Sequence, residues 1–109
     1  MPWIPEQLGF WRALGVNERL RIYRYGPGQQ FDWHRDGSFE RANGERSLVT
    51  FMVYLNDGFQ GGATAFDSLK VQPERGKALF FLHELRHKGE VVESGRKYAL
   101  RTDVMYAYT

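Results

Sequence analysis

His34 and Asp36 stand two positions apart, in the run Trp33-His34-Arg35-Asp36. On an extended strand, side chains at i and i+2 leave the same face, so an imidazole and a carboxylate would converge there. Two ligands hold a metal ion weakly. A further imidazole from another strand would complete the set of two histidines and one carboxylate that suits non-haem Fe(II) and leaves coordination positions open. His83 and His87 are both available for that role. The chain has no cysteine, which excludes thiolate metal sites and disulfides and leaves histidine and carboxylate as its strong ligands. His-x-Asp triplets are common in proteins that bind no metal, so the metal reading needs support from elsewhere in the chain.

That support lies near the C-terminus. Ten positions after His87 comes Lys97, which opens a run in which Lys97, Ala99, Arg101 and Asp103 share one face of a strand. If that face is turned inward, its cations need an anion, because burying an unpaired charge is costly. A carboxylate-bearing cosubstrate is one such partner, and an internal pair of Lys97 or Arg101 with Asp103 is the other.

These residues must be positioned by 109 residues, 42% of them hydrophobic and 26% charged, which is enough for one core but not for two. The 3 Trp, 6 Tyr, 8 Phe and 12 Gly favour pleated, tightly turned structure. Leu8, Trp11 and Leu14, closed by Gly15, have the one apolar spacing that suits a helix, over residues 6–14. From residue 19 the period switches to two, and strands are predicted over 19–25, 30–36, 48–55, 63–66, 69–71, 78–82, 90–92 and 97–106. Glycine-rich turns and polar loops separate them, one at Gly26-Pro27-Gly28 and another over 37–46, and the segment 83–89 is read as a link. Short strands joined by tight turns point to a sandwich or jelly roll, whose mouth is where a small-molecule site would lie.

Fifteen basic residues against 13 acidic ones give a net charge of +2 with no basic face, so no nucleic-acid partner is expected. No apolar run approaches the ~20 residues of a membrane helix, and the first residues lack a signal-peptide pattern, so no membrane partner is expected either. A cytoplasmic address is the expectation for this cysteine-free chain.

Three segments, RIYRYGPGQQFDWHRD, SLVTFMVYLNDGFQGGATAF and GKALFFLHELRHKGEVVESGRKYALRTDVMY, together resemble the 2-oxoglutarate- and Fe(II)-dependent dioxygenases, in particular their prolyl 4-hydroxylase-like branch. The resemblance covers residues 20–106. It implies a mainly β double-stranded β-helix, or jelly roll, here with a short N-terminal helix, and it makes residues 1–109 a single domain without the helices that relatives carry ahead of the first core strand. The implied activity is hydroxylation of a C–H bond, peptidyl and prolyl in type or in a small molecule, with release of succinate and CO2. Fe(II), 2-oxoglutarate as cosubstrate and ascorbate as reductant come with it.

Carried over by residue, the resemblance assigns His34 and Asp36 to the family's HxD pair and His87 to its distal histidine. His87 is preferred to His83 because the family's cosubstrate-binding Lys or Arg follows the distal ligand by about ten positions, where Lys97 stands. Arg101 is the second candidate for the distal carboxylate of 2-oxoglutarate. Tyr25 and Tyr54 match cosubstrate-contacting tyrosines and also read as core aromatics. Gly61-Gly62-Ala63-Thr64 matches a GGxTxF segment and reads as a tight backbone turn. His83 is expected behind the site, Trp33 as a packing residue, and Arg35 and Arg86 as solvated neighbours. Leu48, Phe51, Phe80 and Phe81 are expected as apolar walls, with Phe39, Glu40 and Arg41 as loop contacts to substrate.

Three forms stay open for so short a chain: a minimal enzyme, a piece of a longer product, or a subunit whose exposed sheet face is covered in a homodimer. Two other functions also stay open. A cupin-like metalloenzyme without 2-oxoglutarate would keep the histidines but has no need of Lys97 or the tyrosines. A non-catalytic jelly-roll binding module would be favoured were the metal set broken.

Overall fold

Alternation of buried and exposed side chains governs the chain from its first described residues. The computed structural model describes residues 4–109, and every regular element among them is a strand. In chain order these are β1 (Gln7–Leu8), β2 (Trp11–Val16), β3 (Arg21–Tyr25), β4 (Phe31–His34), β5 (Arg46–Tyr54), β6 (Gln60–Gly61), β7 (Thr64–Phe66), β8 (Lys70–Val71), β9 (Ala78–Leu82), β10 (His87–Gly89), β11 (Val92–Ser94) and β12 (Lys97–Tyr108).

The helix predicted over 6–14 is not there: β1 and β2 form an antiparallel hairpin instead. Trp11 and Ala13 are half-buried while Leu14 is 45% exposed, so the apolar spacing that suggested a helix does not mark one face. A nine-residue helix is marginal on its own. Here the segment gains a ladder of main-chain bonds to β12, from Val16 opposite Val104 to Trp11 opposite Tyr108, and extended structure wins. A second difference falls in 83–89, read as a link, which holds β10.

The 12-residue β12 is the spine of the larger, six-stranded sheet. β5 pairs along one of its edges, while β3 and then β2 share the other, and β9 extends the sheet beyond β5. A four-stranded sheet in the order β4-β10-β7-β8 faces it, and β6 pairs with β11. The result is the mainly β jelly roll expected from the sequence, without its helix.

Register decides which side chains meet. Lys97 lies opposite Tyr25, Arg101 opposite Met52 and Asp103 opposite Thr50, while in the smaller sheet His87 lies directly opposite His34. Positions 50 and 52 of β5 face the cleft between the sheets, so by the two-residue period 49 and 51 face away. On that far side Ile4, Val49, Val104 and Tyr106 form a buried cluster, with Leu8, Trp11, Leu48, Phe51 and Phe80 packed against it. Each fully buried aliphatic side chain there contributes about 1.5–3 kcal/mol. Of the four expected wall residues only Phe81 lines the cleft; the other three belong to this cluster.

Candidate metal centre

His34 closes β4, and Asp36 follows it where the chain has left the strand. The Asp36 main-chain N–H donates to the His83 carbonyl at 3.2 Å, which anchors this turn to the segment after β9. His87 opens β10 beside it. One ligand atom from each of His34, Asp36 and His87 lies within 4.8 Å of the others. His34 Nε2 is 3.4 Å and His87 Nε2 3.6 Å from Asp36 Oδ1, and the Asp36 side chain is only 1% exposed.

The hydrogen bonds behind the imidazoles fix their tautomers. His34 Nδ1 donates to the Asp32 carbonyl at 2.7 Å, and His87 Nδ1 donates to the Leu85 carbonyl at 2.9 Å. A carbonyl only accepts, so the proton sits on Nδ1 in both rings and the Nε2 lone pairs are left facing Asp36 Oδ1. Phe31 stacks on His34 at 3.8 Å between ring centroids, and Phe81 meets His87 edge-on at 4.6 Å, which holds the rings in place. Burial pushes the His87 imidazole below its ordinary range, so it stays neutral. Two imidazole nitrogens and a buried carboxylate oxygen converging on one point fit the donor set of a non-haem Fe(II) site.

The same cleft is lined by Lys97 and Arg101. The Arg101 Nη1 atom lies 3.3 Å from Asp36 Oδ1 and balances its charge. Lys97 is different. It is 4% exposed, and among the described residues no carboxylate pairs with it and no hydrogen bond reaches its Nζ. Its Nζ lies 5.2 Å from the Tyr25 ring centre and 5.6 Å from that of Tyr54. Burial lowers the Lys97 ammonium to about 8. The internal pair with Asp103 does not form: Asp103 Oδ1 points instead toward His83 Nε2, at 3.8 Å.

Tyr25 stands in the cleft wall, and burial raises its phenol. Tyr54 is fully buried and its hydroxyl bonds Thr64 Oγ1. Gly62 does more than turn the chain: a Cβ built there would stand 3.1 Å from Lys97 Cδ, so the missing side chain makes room for the lysine stem. His83 lies behind Asp36, as expected. Trp33 carries the Arg86 guanidinium over its ring at 4.4 Å, and Arg35 donates to the Glu84 carbonyl at 3.0 Å. The loop charges pair among themselves, Arg41 with Glu45 and Glu18, and Glu40 with Arg46.

Thr50 went unrecognised in the sequence. Its hydroxyl donates to Asp36 Oδ2 at 2.6 Å. One signal could have found it: a threonine within Leu48-Val49-Thr50-Phe51-Met52-Val53-Tyr54-Leu55, an otherwise apolar run but for Tyr54, on the parity that also carries Met52 and Tyr54.

Residues 20–102 match the 2OG-Fe(II) oxygenase superfamily. The chain is 32% identical over 84 residues to prolyl 4-hydroxylase subunit alpha-2 of Caenorhabditis elegans, an alignment covering 69% of this chain and 15% of that protein. It is similar in structure to a Pseudomonas putida prolyl-4-hydroxylase, with a TM-score of 0.64, 26% identity and coverage of 84% of this chain and 54% of the other. Against a viral collagen prolyl hydroxylase from Paramecium Bursaria Chlorella virus-1 the TM-score is 0.63 and the identity 28%, over 86% of this chain and 58% of that one. The chain thus spans less than a third of the length of the curated relatives it matches, at 31% and 15% for two of them.

Proposed function

The chain belongs to the 2OG-Fe(II) oxygenase superfamily, and on that premise we propose that residues 1–109 form one domain that hydroxylates a C–H bond with Fe(II) and 2-oxoglutarate. His34, Asp36 and His87 hold the metal through Nε2, Oδ1 and Nε2. Lys97 takes the distal carboxylate of 2-oxoglutarate. The observation that carries this reading is a buried ammonium without a carboxylate partner, in the same cleft as the three converging ligand atoms.

When bound, Fe(II) with 2-oxoglutarate and O2 supplies the oxidant that turns a substrate C–H into C–OH, leaving succinate and CO2. The protein's own contribution is placement and charge. The Asp32 and Leu85 carbonyls keep protons on the Nδ1 atoms, so both Nε2 atoms remain donors to the metal. Lys97, charged below about pH 8, attracts and orients a carboxylate in surroundings where few other groups compete for it. Arg101, already on the cleft side of β12, is the second cation available to that cosubstrate or to an anionic group of the substrate. Tyr25 shapes the wall beside Lys97, and Tyr54 supports it from beneath.

The substrate class is a peptidyl residue, prolyl in type, or a small molecule, a reading supported by the prolyl 4-hydroxylases among the relatives. Ascorbate would serve as reductant. A homodimer is supported by the apolar side chains left open on β3 and ahead of it, Leu20 at 56% and Ile22 at 68% exposure. A cytoplasmic site of action is supported by the cysteine-free sequence. No helix among the described residues is long and apolar enough to cross a membrane.

The test is anaerobic titration of Fe(II) and 2-oxoglutarate into the purified protein, following the weak visible charge-transfer band of the chelated complex. The band should form with the wild type and be lost in both His87→Ala and Lys97→Ala. Iron binding without a band would exclude the cosubstrate, and absence of iron binding would remove the enzyme reading altogether.

A further inference from the structure

Ser47, Thr50 and His83 hold no metal in the proposed site, yet they are polar side chains buried to 0%, 1% and 6% exposure and lined up behind Asp36. Four hydrogen bonds join them. The Phe39 main-chain N–H lies 2.8 Å from Ser47 Oγ, Ser47 Oγ lies 2.8 Å from His83 Nε2, His83 Nδ1 lies 2.8 Å from Thr50 Oγ1, and Thr50 Oγ1 lies 2.6 Å from Asp36 Oδ2.

Both ends dictate the direction of this chain. An amide N–H can only donate, and an ionised carboxylate can only accept. At 2.6 Å a hydrogen must lie between the Thr50 and Asp36 oxygens, so the Thr50 proton is committed to Asp36. Thr50 must then accept from His83 Nδ1–H, which leaves His83 Nε2 as the acceptor of the Ser47 hydroxyl proton. Ser47 in turn accepts from Phe39. Every donor and acceptor is used once, and the ring is neutral. The other tautomer would turn Nε2–H to Ser47 Oγ and make Nδ1 an acceptor, which would take the Thr50 proton and leave none between Thr50 and Asp36.

We infer that Thr50 and His83 are positioning residues that fix the carboxylate of Asp36, occupying Oδ2 so that Oδ1 alone is presented to the metal. The inference rests on the reading that His34, Asp36 and His87 hold that metal. Residue 83 grips Asp36 twice, through its main-chain carbonyl and, by way of Thr50, through its imidazole. The grip brings no charge to the carboxylate, so it does not compete with a cation for it. Ser47 sets the tautomer of His83 from the far side.

The experiment is titration of Co(II) into the wild type and into Thr50→Val, Thr50→Ser, His83→Leu and His83→Asn, reading Kd and the visible absorption of the bound ion, with Tm recorded for each apo protein. Valine and leucine remove the donors at nearly constant volume. Serine restores the hydroxyl, and the asparagine amide stands where Nδ1 stood. Loss of an outer partner typically weakens metal binding by about tenfold to a hundredfold, and that is the expected effect in Thr50→Val and His83→Leu, with a changed absorption spectrum. Thr50→Ser and His83→Asn should return to within about threefold of wild type whatever their Tm.

Wild-type affinity and spectrum in folded Thr50→Val and His83→Leu would overturn the inference, as would failure of the serine and asparagine variants to recover affinity. If Thr50→Val does not fold, Ser47→Ala decides: an unchanged Kd would overturn the inference, since His83 would then need no partner to hold its tautomer. A wild type that binds no Co(II) would instead remove the metal-centre reading, and the positioning role with it.

Discussion

Replacing Lys97 with methionine should make the protein more stable and disable it. The lysine is 4% exposed without a carboxylate partner, and burial brings its ammonium from the ordinary 10.5 to about 8. Each pH unit of such a fall is worth about 1.4 kcal/mol, so the folded protein carries about 3 kcal/mol of strain at neutral pH. The sign is definite. Between pH 8 and 10.5 the unfolded chain holds this proton and the folded chain does not, so stability rises with pH over that window and the destabilisation is fully present below it. Methionine fills similar volume without charge. In urea unfolding of the apo proteins, Lys97→Met should exceed wild type by about 3 kcal/mol at pH 7, with the gap closing toward pH 10.5. Other titrating groups are common to both proteins and drop out of the difference. The variant should also fail to gain stability from 2-oxoglutarate in the presence of metal, where the wild type gains RT ln(1 + [L]/Kd). A variant less stable than wild type at pH 7, or a gap independent of pH, would refute the reasoning that Lys97 is a strained cation waiting for an anion.

His87→Ala should weaken Co(II) binding by at least about a hundredfold, more than an outer partner is worth, as read by equilibrium titration. Gly62 has φ +71°, and a Cβ there would stand 2.9 Å from Phe59 Cε2 and 3.1 Å from Lys97 Cδ, whereas Gly76, at φ +84°, has open space. Both alanine variants should lose about 1–2 kcal/mol to the backbone in chemical denaturation, but Gly62→Ala should lose more and also weaken 2-oxoglutarate binding by displacing the lysine stem. Tyr106→Phe removes the hydroxyl that donates to the Pro5 carbonyl at 2.8 Å and should cost about 1 kcal/mol by the same measurement.

The cleft-facing parity of β12 was legible because a strand's period is two and Lys97, Ala99 and Arg101 stand two apart, whereas Asp36 has already left β4 and His87 stands out by its spacing from Lys97 rather than by a strand period. The same rule, applied with the wrong phase, misplaced the walls: the register of β5 against β12 assigns the cleft face to Thr50 and Met52, Phe51 faces away, and the register shift beside Val49 leaves Leu48 on that same far side. The N-terminal hairpin was hidden because its strand character comes from bonding to β12, more than 80 residues away. β10 was hidden for a related reason, since His87–Gly89 is held by β4 and β7 on both sides rather than by its own composition. The bonds behind Asp36 needed three such long-range placements at once, and no local pattern reports them.

The cleft divides its two tasks between two kinds of group. Orientation comes from neutral ones: main-chain carbonyls behind His34 and His87, and the Thr50 hydroxyl behind Asp36. Charge comes from Lys97 and Arg101, which set two cations against Asp36, the one carboxylate lining the cleft among the described residues. Had the orienting group on Asp36 Oδ2 been a cation, it would have drawn off the negative charge a metal ion needs. Arg101 shows that cost, because at 3.3 Å it lies on Oδ1, the oxygen that faces both Nε2 atoms. A divalent ion held as proposed would therefore compete with the guanidinium for one atom. On the proposed reading a dicarboxylate would resolve the competition from both ends: it would supply the anion that Lys97 lacks and offer Arg101 another partner, which would return Oδ1 to the metal. Binding of the two would then be mutually reinforcing, and by linkage each would strengthen the other by the same factor.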